Sequence, residues 1–116
     1  MRTEALYLDD LVEAADAIAR FLHDLDKQTF LGDELYQSVV LQKLIAIGET
    51  ASRLSAEFRA RQAHIEWPHI VGLCNIAVSH YFGVSWETVW NTATQDVPIL
   101  REQIAAILAA EFPEEG

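Results

Sequence analysis

Cysteine is nearly absent. Cys74 stands alone among 116 residues, so no disulfide can form within the chain and no cysteine-rich zinc site exists. The four histidines, His23, His64, His69 and His80, fall in no ligand spacing such as His-x-x-x-His on one helix, so neither a metal nor another cofactor is expected. No apolar run approaches the roughly 20 residues that a membrane span needs, and the opening MRTEALYLDD lacks the unbroken apolar core of a secretory signal. The cytoplasm is the expected compartment, with no membrane among the partners. Basic residues are also scarce: 8 against 18 acidic ones, for a net charge of −10. A body this acidic repels polyanions on average, so broad non-specific nucleic-acid binding by a monomer is not expected, while local binding stays open. Arg53, Arg59 and Arg61 lie close in sequence. They either form one positive patch or, more plainly, complement the C-terminal dipole of a helix.

Strand signals are almost missing as well, and what replaces them is strong helical periodicity. The length suits a single helical domain over residues 1–116, long enough to bury about two thirds of its unfolded surface. Leu8, Leu11, Ala15, Ile18, Leu22 and Leu25 recur at three- and four-residue spacing, which predicts a first helix from about Glu4 to Leu25. The loop DKQTFLG follows. Asp33 then caps a long second helix reaching Phe58, with Val40, Leu44, Ile47, Ala51, Leu54 and Phe58 as its buried stripe. Trp67-Pro68 opens a third helix, because proline is tolerated in a first turn, and Gly83 ends it near Phe82. Ser85 caps a short fourth helix carrying Trp86, Val89 and Trp90. Asp96-Val97-Pro98 starts a fifth, burying Leu100, Ile104, Ile107 and Leu108, with a frayed tail FPEEG. Short loops and single apolar stripes give an all-α fold: an antiparallel up-and-down bundle of four to five helices.

The third helix contains GLCNIAVSHYFGV, residues 72 to 84. At about 100° per residue, Ile70, Cys74, Ala77, Val78 and Tyr81 share one side, and His69, Leu73, Ile76 and His80 a second. The third row, Pro68, Gly72, Asn75 and Ser79, is small or polar throughout. A helix apolar on two sides sits deep in a bundle, and its small row needs either close helix approach or a groove. That row is where a functional site fits.

These residues carry a resemblance. Leu41 to Ile104, together with YLDDLVEAADAIARF near the start, resembles the HepT-like branch of the HEPN superfamily over nearly the whole chain. IGE at Ile47 to Glu49, YFGV at Tyr81 to Val84, VW at Val89-Trp90 and the DVP segment are the strongest local matches. The resemblance implies an all-helical, usually dimeric, metal-independent endoribonuclease. Such proteins are toxins of toxin–antitoxin pairs, working beside a small nucleotidyltransferase of the MNT type. The family signature is arginine, a polar residue, three residues, histidine, any residue, tyrosine. RNA cleavage by the adjacent 2′-hydroxyl needs a group near neutral pKa to move protons, and histidine supplies it. The arginine holds the phosphate as charge builds on its oxygens.

Laid on this sequence, the arginine position is Cys74, the polar position Asn75, the histidine position Ser79 and the tyrosine Tyr81. Both residues that carry chemistry are replaced, and a histidine stands one place late, at His80. That shift turns the side chain by about 100°, from the Asn75/Ser79 row into the Leu73/Ile76 row. Each residue also has a plain reading. Cys74 is a small buried side chain, Ser79 back-bonds to a helix carbonyl, and His80 is a hydrogen-bonded, partly buried histidine. Tyr81 is either a core aromatic or, as the resemblance implies, the tyrosine that the MNT partner adenylylates to silence the toxin. Trp67, Trp86 and Trp90 read as core and interface anchors. Three functions stay open: a HepT-like RNA endonuclease with a degenerate motif, a non-catalytic docking subunit for a nucleotidyltransferase, and a plain helical oligomer. In the first, the partners are RNA, the nucleotidyltransferase antitoxin and a second copy of the chain.

Overall fold

A computed structural model describes residues 3–75 and 85–113, and all regular structure among them is helical. The elements are α1 (Thr3–Leu22), α2 (Lys27–Leu31), α3 (Glu34–Ser52), α4 (Ala56–Arg61) and α5 (Trp67–Val71), then a 3-10 turn (Gly72–Asn75), α6 (Trp86–Asn91), a π turn (Thr92–Asp96) and α7 (Val97–Glu111). Among these residues no helix is long and apolar enough to cross a membrane.

α1 is the central strut, packed on α3 and α7. Glu4 at its start bonds Ser55 just past the end of α3, so those two helices run antiparallel. Arg101 near the start of α7 pairs with Asp16 in the second half of α1, Nε to Oδ1 at 3.0 Å. The far end of α7, at Leu108 and Ala109, meets Asp9 and Val12, so that pair is antiparallel too. The Arg101 guanidinium is held above its usual pKa by the Asp16 carboxylate, through the hydrogen bond first and the charge second. The core between these helices contains Leu8, Ile18, Phe30, Val40, Leu44, Ile47, Phe58 and Ile104, all fully buried.

Several expected boundaries move. α1 stops at Leu22 rather than Leu25, because Asp24 takes φ 65°, a left-handed conformation that ends a helix. Leu22 and Leu25 still pack on the core. The loop DKQTFLG contains α2: Asp26 accepts from the Thr29 backbone N–H at 2.8 Å, a cap that seeds one turn. That bond also holds the Asp26 carboxyl below its usual pKa. Asp33 caps α3 as expected, accepting from Leu35 and Tyr36. The long second helix is broken, however. α3 ends at Ser52, and Ser55, with extended backbone, caps a separate α4 by accepting from Phe58 N–H at 3.0 Å. The predicted stripe from Val40 to Phe58 is buried across that break.

The expected fourth and fifth helices are one continuous helical run, Trp86 to Glu111. Ser85 does cap its start, accepting from Thr88 N–H at 3.2 Å. Asp96 makes no side-chain cap. Pro98 has no N–H to give the preceding turn and its ring crowds the carbonyl four residues back; the π turn just before it relieves both. Leu100, Ile104, Ile107 and Leu108 are buried as the pattern requires.

Candidate functional site

The motif segment enters through α5, and α5 is held by one aromatic anchor. Trp67 is 5% exposed; its Nε1 donates to the Gln62 carbonyl at 3.0 Å and its ring meets Phe58 edge-on, centroids 6.3 Å apart. Pro68 occupies the first turn, where a missing N–H costs nothing. α5 and the 3-10 turn both pack on α3.

The third helix therefore differs from the expected α-helix already at Gly72. In a 3-10 turn residues three apart eclipse, so the α-helical rows do not continue in register. Trp67, Ile70 and Leu73 form the buried edge, while His69 is exposed, which splits the expected His69/Leu73 row. Of the small row, Pro68 and Asn75 are exposed and Gly72 is half-buried. A Cβ built on Gly72 would meet none of the described residues within 4 Å, and its φ of −67° suits any residue. Cys74 lies in the 3-10 turn. Ser79, His80 and Tyr81 fall outside the described residues, as do the predicted helix end at Phe82 and its Gly83 cap.

Two of the three arginines are engaged on α4, while Arg53 is exposed at the end of α3. Arg61 reaches Glu111 at 3.4 Å and lies over the Phe58 ring, 5.3 Å from its centroid. Arg59 and Arg61 occupy the last turn of α4, where cations complement the helix dipole. The Arg59 Nε is buried, with no hydrogen-bond partner among the described residues.

A pairing beside the motif has no signal in the sequence pattern. Asp96, read as part of a helix start, lies 3.9 Å from His69 Nε2. Both line an open cavity of about 430 Å3 with His64, Glu66 and Gln103. Nothing in the spacing brings positions 69 and 96 together; only the packing of α5 beside the π turn does. Among the described residues no three histidine, cysteine or acidic side chains are grouped to hold a metal ion. The lining is acidic on balance and does not suit a phosphate.

Comparison with known proteins gives this scaffold its relatives. A "Putative RNase" of Methanocaldococcus jannaschii is 28% identical over 101 residues, 87% of this chain and 93% of that protein. A "Putative RNase" of Caldanaerobacter subterraneus is 26% identical over 111 residues, 96% of this chain and 99% of that one. A "Probable ribonuclease HepT" of Thermococcus cleftensis is 29% identical over 100 residues, 86% and 91% of the two chains. No solved structure matches the chain. The profile of the family described as "Ribonuclease HepT-like" matches residues 11–107, from the middle of α1 to the last turns of α7 and through the whole motif segment, so the chain belongs to the ribonuclease HepT-like family.

Proposed function

We propose that this chain is the toxin half of a cytoplasmic toxin–antitoxin pair: by descent a metal-independent RNA endonuclease, homodimeric, and partnered by a small nucleotidyltransferase of the MNT type. The observation that carries this reading is the family match over residues 11–107. The exposed Pro68 and Asn75 at the entry to the motif support it, since an RNA strand needs access to the motif.

The cleavage step asks for a proton-transfer group at position 79 and a phosphate-binding cation at position 74. This chain places serine and cysteine there. Losing a general acid–base histidine alone lowers a rate by roughly 10²- to 10⁴-fold. The chain is accordingly a weakened nuclease, with His80 the remaining imidazole of the motif. Tyr81 is the acceptor for the antitoxin: its hydroxyl oxygen attacks the α-phosphate of ATP, pyrophosphate leaves, and the AMP ester blocks the site. Pro68, Gly72 and Asn75, exposed or half-buried at the entry to the motif, face the second copy across a two-fold axis, which brings two motifs together.

The test is RNA cleavage by the purified dimer in the presence of a chelator. The Cys74→Arg/Ser79→His double variant is expected to exceed the unmodified protein by about 100-fold or more, and by more than the two single variants combined, because both groups act on one transition state. If His80 already does the work, His80→Ala abolishes the basal cleavage and the double variant gains little. The substitutions at 74 and 79 also favour a second reading, a non-catalytic docking subunit for the nucleotidyltransferase. Under it the double variant stays inactive while the protein still binds that partner. Cleavage that survives His80→Ala at full rate would defeat the motif-based reading, and sedimentation as a monomer at micromolar concentration would defeat the dimer.

A further inference from the structure

The cavity where the α2–α3 turn meets the start of α6 has a chemistry that the motif does not use. It holds about 490 Å3 and is lined by Leu31, Gly32, Glu34, Gln37, Ser38 and Trp86. Glu34, Gln37 and Ser38 fall three and four residues apart on the first turns of α3, so they share one face. Gln37 is only 6% exposed, and its Nε2 donates to the Phe30 and Leu31 carbonyls, each at 3.0 Å. Two carbonyl acceptors admit only the nitrogen of the amide, so its orientation is fixed by chemistry. The Oε1 atom is left as an acceptor on a buried side chain that lines the cavity.

The walls are preformed. Lys27 of α2 pairs with Glu87 of α6, and Phe30 packs against Trp86 and Trp90, at 6.3 and 5.3 Å between centroids. The Gln37 bonds tie α2 to α3 in the same way. None of the described lining residues is a cation. A phosphate therefore has no counter-charge here, whereas a flat neutral ring with N–H donors finds a carboxylate, an amide oxygen, a hydroxyl and an indole.

We propose that this cavity binds one base of single-stranded RNA and selects guanine. The purine stacks on Trp86, as bases do on aromatic side chains in single-strand-binding proteins. Guanine alone among the four RNA bases presents two adjacent donors, N1–H and N2–H, to a carboxylate, and Glu34 accepts both. The second N2–H goes to Gln37 Oε1, and the Ser38 hydroxyl donates to O6. The inference deepens the ribonuclease reading and rests on it for RNA as the source of the base.

The experiment is titration of the intact protein with GMP, IMP, AMP and UMP, followed by NMR at the Trp86 indole N–H, which Trp86→Phe assigns. The four nucleotides share one phosphate, so only the base differs. GMP is expected to shift that signal saturably at millimolar concentration, with IMP, which lacks the 2-amino group, weaker by about tenfold. Glu34→Gln, at an exposed position, should weaken GMP and narrow its gap to IMP, with Gln37 Oε1 keeping the rest of the preference, while the rest of the spectrum stays in place. Equal binding of all four, an unmoved Trp86 signal, or an unchanged ratio in Glu34→Gln would each overturn the proposal. Binding is read without cleavage. A protein that cuts RNA but ignores GMP sinks this inference alone, and one that binds GMP but never cuts RNA sinks the ribonuclease reading alone.

Discussion

Removing the Trp67 anchor should loosen the motif segment before it loosens the bundle. Trp67 is buried to 5% exposure, bonds the Gln62 carbonyl and meets Phe58 edge-on. Trp67→Phe keeps most of the ring and deletes the Nε1 donor. The Gln62 carbonyl is not orphaned, because Ile65 N–H also reaches it, at 3.1 Å. The loss is therefore one hydrogen bond, about 1 kcal/mol, plus the trimmed ring, for a total of about 1–2 kcal/mol. Trp67→Ala opens a cavity between α4 and α5 and should cost about 3–5 kcal/mol, a large share of the roughly 5–15 kcal/mol that holds a domain together. Urea unfolding measures both through the midpoint at constant slope. A double-mutant cycle with Phe58→Leu should return a coupling of about 0.5–1.5 kcal/mol for the ring pair. Hydrogen exchange should show amides of residues 67–75 losing protection before those of α1 and α3. An alanine variant costing under about 1 kcal/mol, or a cycle with no coupling, would refute the claim that this indole positions the site.

Gly72→Ala should be neutral or stabilise by up to about 1 kcal/mol in thermal unfolding, since the new methyl meets none of the described residues and the backbone is already right-handed; a loss above that size would mean the backbone there is constrained after all. Ser55→Ala should cost about 1–2 kcal/mol in the thermal midpoint, through the lost cap on α4 and the lost hydrogen bond to Glu4; a neutral or stabilising change would show that Ser55 does not cap α4. Asp26, through the Thr29 backbone bond, and Glu87, through its bond and charge pairing with Lys27, are both held below their ordinary values of 3.8 and 4.5. Depressed acids stabilise the fold fully above those ordinary values, and the contribution is lost as pH falls from about 4.5 through the lower folded values. Glu87→Gln should therefore flatten the fall of the thermal midpoint on acidification; an unchanged slope would show that the Lys27 pair does not form in solution.

What the sequence made legible follows from how each signal works. The buried stripe from Val40 to Phe58 was readable because burial depends on position around the axis, and the chain kept that register through a break at Ser55. The break itself was readable only as a cap, a serine three residues before Phe58, and the stripe outweighed it. Pro98 gave the opposite error. A proline with an acid two places before it reads as a helix start, yet here a π turn absorbs the ring and the helix runs on. In both cases a strong local residue competed with a continuous apolar face, and the face decided burial while the local residue decided backbone geometry.

The same division governs the candidate sites. Cys74, Asn75, Ser79, His80 and Tyr81 are marked by a motif in sequence, so they could be named without any geometry. The Glu34, Gln37 and Ser38 face also lies in the sequence at three- and four-residue spacing, but at a helix start that spacing is ordinary for solvated polar residues. What distinguishes it is Gln37, buried with its amide nitrogen committed to α2, and Trp86, brought from 49 positions further on by the packing of α6 on α2. Likewise His69 and Asp96 meet only because α5 lies beside the π turn. A cluster assembled from separate elements leaves no periodic trace in either one. Such sites become visible when a buried polar side chain is found with one atom satisfied and the other still open to a ligand.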